Sequence, residues 1–242
     1  MRITHVSDSP SLHSIGQSER MHVPASTEGI VRRRPVQRRS QERFDRILDA
    51  CARLLDEVGY TALTTKEVAR RAEVPIGTLY QFFPGIDGLL GALAERNLEH
   101  FMDRLTRRME AERPSDIAGM VDLAVEEYVA MHRAVPGFGV VDFGAVGRED
   151  AGGMHLLDSV LENNAAVADR LWALLGDLIG GTDRAAARIS LHVALECADA
   201  VLRLAFRSDP EGDPVLIAEC KRLLRGYLSE DSGAATGPVT AP

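Results

Sequence analysis

Three features of the chain predict an all-α fold. Between about residues 37 and 228, apolar side chains recur at three- and four-residue spacing. No segment alternates strictly between apolar and polar residues, as a half-buried strand would. Only 5% of the 242 residues are aromatic, which argues against a sandwich or barrel of aromatic-rich strands. With 45% hydrophobic and 26% charged residues, the composition is that of a folded globular protein of one or two modest domains.

The first helix is expected over about Gln37–Val58. There Phe44, Ile47, Leu48, Cys51, Leu54, Leu55 and Val58 form one apolar stripe, and Gly59 follows as a left-handed C-cap. Cys51 lies on that stripe and reads as a small core residue. A second helix opens on the capping box Thr64-x-x-Glu67 and ends near Ala72, burying Val68, Ala69 and Ala72. Pro75 introduces a third short helix, Ile76–Phe82, which stops before Pro84. A fourth covers about Ile86–Glu112 through Leu89, Leu90, Leu93, Leu98, Phe101, Met102, Leu105 and Met109, and Pro114 ends it. Further helices are expected at about 116–134, 154–179, 183–207 and 213–228. Their breaks are a Gly-rich connector at 137–153, expected to be a flexible link between helices, Gly180-Gly181 and Asp209-Pro210. Residues 1–31 and 229–242 lack apolar periodicity and read as a disordered leader and tail.

The net charge of −8 conceals an asymmetry. Residues 30–83 hold eleven basic and seven acidic side chains, whereas residues 84–242 hold fifteen and twenty-six. A basic module attached to an acidic body therefore emerges from an acidic average. No apolar run approaches 18 residues, which excludes a membrane-spanning helix, and the first thirty residues lack the apolar centre of a signal peptide. A cytoplasmic protein with no membrane partner is the expectation. Cys51, Cys197 and Cys220 are too few and too far apart for a disulfide framework or a metal knuckle.

Residues Thr65–Ala72 and Ile76–Phe82 make a helix-turn-helix pattern, whose second helix is narrow enough to enter a DNA major groove. Arg32, Arg33, Arg34, Arg38 and Arg39 precede it, an arm suited to phosphate contacts or to the minor groove. The stretch 46–93 also carries a first helix ending in Gly59-Tyr60, the run T-T-x-x-V-A-x-x-A and the motif G-T-L-Y-x-F-F. On these it resembles the N-terminal DNA-binding domain of the TetR family of bacterial transcriptional regulators. The resemblance implies an all-α dimer with its helix-turn-helix at about 65–84. It implies DNA contacts from Thr65, Lys66, Ile76, Gly77, Thr78, Tyr80 and Gln81, and a C-terminal domain that takes a small-molecule effector. The chemistry of those residues agrees: Thr78 and Tyr80 offer hydroxyls to phosphate oxygens, and Gln81 can read an adenine edge bidentately. Leu79 and Phe82 are expected to face the small core. Two positions depart from the family pattern. Glu73 stands where a turn glycine is common, which predicts a strained or rearranged backbone there. Gly85-Ile86-Asp87 replaces a phosphate-directed cation with an acid at the start of the next helix, leaving more of the affinity to the arginine arm.

The domains expected are thus a leader at 1–31, a DNA-binding domain at 32–86, a ligand-binding and dimerisation domain at 87–228, and a tail at 229–242. The body has no G-x-S-x-G, H-E-x-x-H or C-x-x-C motif and no phosphate-cradling loop, so neither an enzyme nor a cofactor nor a metal is expected. A ligand pocket is expected from Phe101, Leu105, Tyr128, Met131, His132, Phe138, Phe143, His155, Trp172, His192 and Glu196. The three histidines lie on separate helices. Self-association is expected through the last two helices by Ile189, Val193, Val201, Leu202, Phe206, Leu216, Cys220, Leu223, Leu224 and Tyr227, forming a four-helix bundle across a two-fold axis. The function expected is a repressor bound to a pseudo-palindromic double-stranded operator and released by a small molecule. A regulator controlled by a protein partner and an all-α enzyme are the alternatives.

Overall fold

The computed structural model describes residues 38–141, 164–165, 167–174 and 184–233, and among them every regular element is helical. The helices are α1 (Arg38–Val58), α2 (Thr65–Arg71), α3 (Ile76–Phe82), α4 (Ile86–Glu112), α5 (Ile117–Ala134), α6 (described over 167–174), α7 (Arg184–Ser208) and α8 (Pro214–Gly233). The leader and residues 142–163 lie outside the described residues. Helix α8 runs on to Gly233, past the boundary at 229 where the periodicity fades.

Helix α1 buries Ile47, Leu48, Cys51, Leu54 and Leu55, as its stripe requires, while Val58 at its end is exposed. Burial pushes the Cys51 thiol up to about 12, as suits a packed core residue. Gly59 closes the helix at φ +70°, its N–H donating to Leu55 O at 3.0 Å. Thr64 caps α2 by accepting the Glu67 N–H at 3.2 Å. The reciprocal half of the expected capping box is replaced: the Glu67 carboxylate is taken by the Arg70 guanidinium, which hydrogen-bonds it through Nε at 2.9 Å.

The turn between α2 and α3 holds the strain that its sequence predicts. Glu73 lies at φ +55°, with its N–H donating to Arg70 O and that of Val74 to Ala69 O. This pair of bonds is the Schellman closure, in which the residue after the cap is left-handed and usually glycine. Glu73→Gly is therefore expected to stabilise the protein by about 0.5–1 kcal/mol, the relief of left-handed strain exceeding the added chain entropy. Urea unfolding of the two proteins checks this. A lower midpoint for the glycine variant contradicts it.

Two hydrophobic cores share one long helix. The first packs α1, α2 and α3 around Phe83, Leu89, Leu90 and Leu93. The second packs Leu98, Phe101 and Leu105 against α5, α6, α7 and α8. Helix α4 belongs to both, so the first core, that of the helix-turn-helix module or reader, extends to Ala94, beyond the expected division at 86/87. At 27 residues α4 is about 40 Å long, enough to serve as spine for both units. Ionic contacts bind the body's helices. The nearly buried Glu127 of α5 pairs with Arg104 and Arg108 of α4, and Glu126 accepts from Arg108 at 3.0 Å and from Lys221 of α8 at 2.7 Å. Lys221 and Arg108 hold the Glu126 carboxyl below its ordinary range.

The first residues of the Gly-rich connector are not the loose link that their composition suggests. Residues 135–141 form a tight turn in which Gly137, Phe138 and Val141 are buried. Val141 sits within the reader core rather than the body.

Candidate nucleic-acid interface and body groove

The side chains of α3 divide cleanly. Leu79 and Phe82 are buried in the reader core, and Phe83 stacks within it against Phe44 at a ring distance of 4.9 Å. Ile76, Gly77, Tyr80 and Gln81 face solvent, while Thr78 is half-buried with its N–H satisfied by Pro75 O. A seven-residue helix has one buried face to hold it, and the opposite face is then free for recognition. A Cβ built on Gly77 meets nothing within 4 Å, so this face is open to an approaching backbone. The exposed phenol of Tyr80 shares a hydrogen bond of 3.0 Å with Thr65 Oγ1 on α2. Thr65 and Tyr80 thus act as a coupled hydroxyl pair that ties the two helices together.

The positive charge around α2 is partly matched. Arg71 forms a two-pronged pair with Glu57 of α1, each bond 2.7 Å, and Arg70 pairs with Glu67. Both carboxyls are held below their ordinary range by these hydrogen bonds. Lys66 is exposed, as are Arg38 and Arg39 in the first turn of α1, where Arg38 meets Glu42 at 3.0 Å. Arg32, Arg33 and Arg34 lie outside the described residues. Asp87 is exposed in the first turn of α4, an acid beside the helix-turn-helix, as its sequence position implies.

The residues expected to line a ligand pocket do not converge. Phe101, Leu105, Tyr128, Met131 and Phe138 are packed in the body core. His132, half-buried on α5, lies flat on Phe206 of α7 at a centroid distance of 3.5 Å, and burial pulls its pKa below the ordinary value. Trp172 and His192 line a separate groove of ≈ 320 Å³ between α6 and α7, together with Asp169, Arg188 and Ile189. Glu196 sits one turn along from His192, at 3.5 Å from its Nε2. His192 and Phe206 lie fourteen positions apart on α7, about 20 Å of helix rise, so His132 and His192 do not converge on one compact site. Phe143 and His155 lie outside the described residues. Asp169 and Arg188, which form an ion pair across this groove, gave no signal in the sequence because nothing local sets them apart from other surface charges.

The expected self-association residues also separate. Ile189, Val193, Leu223 and Tyr227 are exposed. Leu202, Cys220 and Leu224 instead belong to the protomer's own core, and burial pushes the Cys220 thiol up to about 11. Val201, Phe206 and Leu216 are half-buried, Phe206 through its stack on His132. Leu204 and Val215, not anticipated, add to the exposed apolar face. Helices α7 and α8 are apolar on several sides, and sequence alone does not say which side the protomer uses.

Comparison with known proteins agrees with this architecture. Residues 47–93 match the family model described as bacterial regulatory proteins, tetR family, and residues 115–231 match a tetracyclin repressor-like C-terminal domain. The chain is 32% identical over 126 residues to the HTH-type transcriptional repressor KstR of Mycolicibacterium smegmatis, covering 50% of this chain and 61% of that protein. With KstR of Rhodococcus jostii it shares 42% over 64 residues, 26% of this chain and 30% of the relative. These alignments span less than two thirds of either relative. A TetR-family transcriptional regulator from Streptomyces coelicolor superposes with a TM-score of 0.66 at 42% identity, over 78% of this chain and 98% of that one. The two family models, the exposed face of α3 and this structural match lead to one conclusion: the chain belongs to the TetR family of bacterial transcriptional regulators.

Proposed function

We propose that the protein is a dimeric, sequence-specific DNA-binding repressor whose body takes a small molecule that releases it from its operator. The observation that carries this reading is the division of α3, which locks Leu79 and Phe82 into the core and leaves Ile76, Gly77, Tyr80 and Gln81 outward. Helix packing alone gives no reason to leave Ile76 42% and Tyr80 41% exposed on neighbouring turns, whereas a major groove supplies a partner for both. The names of the KstR proteins, transcriptional repressors, support the sign of regulation. Self-association is assigned to the face bearing Ile189, Val193, Leu204, Val215, Leu223 and Tyr227, because exposed apolar side chains on two packed helices call for a second copy. The groove beside Trp172, which shares Ile189 and Val193 with that face, is the candidate effector site among the described residues.

Selection from a random-sequence duplex pool tests the reading. An enriched inverted repeat is the expected result, and a pool without enrichment contradicts it. The arginine arm is tested by salt. Replacing Arg32, Arg33, Arg34, Arg38 and Arg39 with Ala should flatten the plot of log K against log salt by about 0.9 for each phosphate that the variant leaves unneutralised. An unchanged slope removes the arm from the interface.

A further inference from the structure

The turn at 135–141 is placed where the body and the reader meet. Its Gly137 N–H donates to Asp56 Oδ1 of α1 at 2.8 Å, and its Val141 carbonyl accepts from the buried Asn97 Nδ2 of α4 at 2.6 Å. Val141 is fully buried in the reader core. Gly137 adopts φ +73°, and a Cβ there would lie 2.9 Å from the Ala52 carbonyl oxygen and 3.0 Å from its Cα. The turn therefore rests directly on the backbone of α1.

Its other end is fastened to the helices assigned to self-association. His132, three residues before the turn, stacks on Phe206 of α7 with an interplanar angle of 11°. Arg133 Nε donates to Glu211 O in the connection between α7 and α8 at 2.7 Å. Phe138 packs edge-on against Tyr128 at 5.3 Å and closes the same cluster. A short, internally hydrogen-bonded turn thus bridges α7 and its connection to α8 on one side, and α1 and α4 on the other.

Resting on the reading of the protein as a dimeric DNA-binding regulator, we infer that this docked turn, through Gly137 and its partners Asp56 and Asn97, fixes the angle of each reader on the body and so sets which spacing of operator half-sites the dimer accepts. The residues of α3 determine which bases are read, and the turn determines how far apart the two sets lie. A dimer accepts half-sites whose separation matches the separation of its recognition helices, so loosening or wedging the bridge changes spacing preference without changing the bases recognised. Gly137, Asp56 and Asn97 act as positioning residues and need not touch DNA.

The experiment is parallel selection from one random-sequence duplex pool with the full-length protein, Gly137→Ala and Asp56→Ala, each checked by circular dichroism and sedimentation. Gly137→Ala drives a methyl group into the α1 backbone. Asp56→Ala removes one acceptor and adds no atoms, so it is the variant that decides should the first fail to fold. The expected result is one half-site sequence for all three proteins, with a single spacing for the unaltered protein and a spacing shifted or spread by at least one base pair for the variants. Variants that fold, dimerise and select the same single spacing overturn the inference alone. A purely structural role for the turn lowers the melting temperature and the affinity for every site together, and leaves the spacing unmoved. Absence of any enriched half-site with the unaltered protein overturns the DNA-binding reading itself, and this inference with it.

Discussion

Phe83→Ala is expected to unfold the reader while the body remains folded. Phe83 is fully buried and packs between Phe44 and Phe82, at ring distances of 4.9 and 6.2 Å. Truncating a buried phenylalanine costs about 3–5 kcal/mol through reduced transfer energy and the cavity left behind. A core built from α1, two seven-residue helices and the first third of α4 has little stability beyond that to lose. The body core draws on none of these three rings. The single tryptophan, Trp172, lies in the body on α6, so its fluorescence follows the body while far-ultraviolet circular dichroism follows all the helices. The expected outcome is an early dichroism transition, with the fluorescence transition close to that of the unaltered protein. Coincident displacement of both transitions by the full amount contradicts the two-core description, and points to α4 coupling the cores into one cooperative unit.

The second large effect is expected at Gln81. Its side chain is exposed on the free face of α3, next to a phenol already held by Thr65. An amide side chain reading an adenine edge through two hydrogen bonds discriminates by about 1–3 kcal/mol. Gln81→Ala should therefore lower affinity for the selected operator roughly 10- to 100-fold and leave affinity for unrelated duplex nearly unchanged. Equal losses on both duplexes assign Gln81 to a general backbone contact. Tyr80→Phe is a useful companion, because it removes the hydroxyl that couples α3 to α2 and leaves the ring in place.

Elements whose limits are set by neighbouring residues were legible in the sequence. Gly59 stops α1, Thr64 starts α2, and α4 begins and ends where its apolar spacing places it. The strained turn at Glu73 was legible only through the family resemblance, in which a glycine is common where this chain has Glu73. The inward positions of Leu79 and Phe82 followed from the same short-range pattern. What escaped depends on contacts between distant parts of the chain. Gly137 meets Asp56 across 81 residues and Asn97 meets Val141 across 44, and nothing in the glycine-rich composition of 137–153 distinguishes a docked turn from a loose one. Helices α7 and α8 present a similar difficulty: Leu202 and Leu204 stand two residues apart, equally apolar, yet one is 3% and the other 46% exposed. The expected pocket was drawn from aromatic and histidine residues on several helices, and packing distributed them between the core and a surface groove instead.

Whether α3 reads a defined DNA sequence is settled most directly by fluorescence anisotropy at one fixed, physiological salt concentration. The selected inverted repeat is compared with a scrambled duplex of equal length and composition. A sequence-reading α3 gives affinity for the selected duplex at least about 10³-fold higher, the lower end of what sequence-specific regulators achieve. A ratio near one would mean that the basic module holds DNA through its phosphates alone, and that the exposed face of α3 is not a reader.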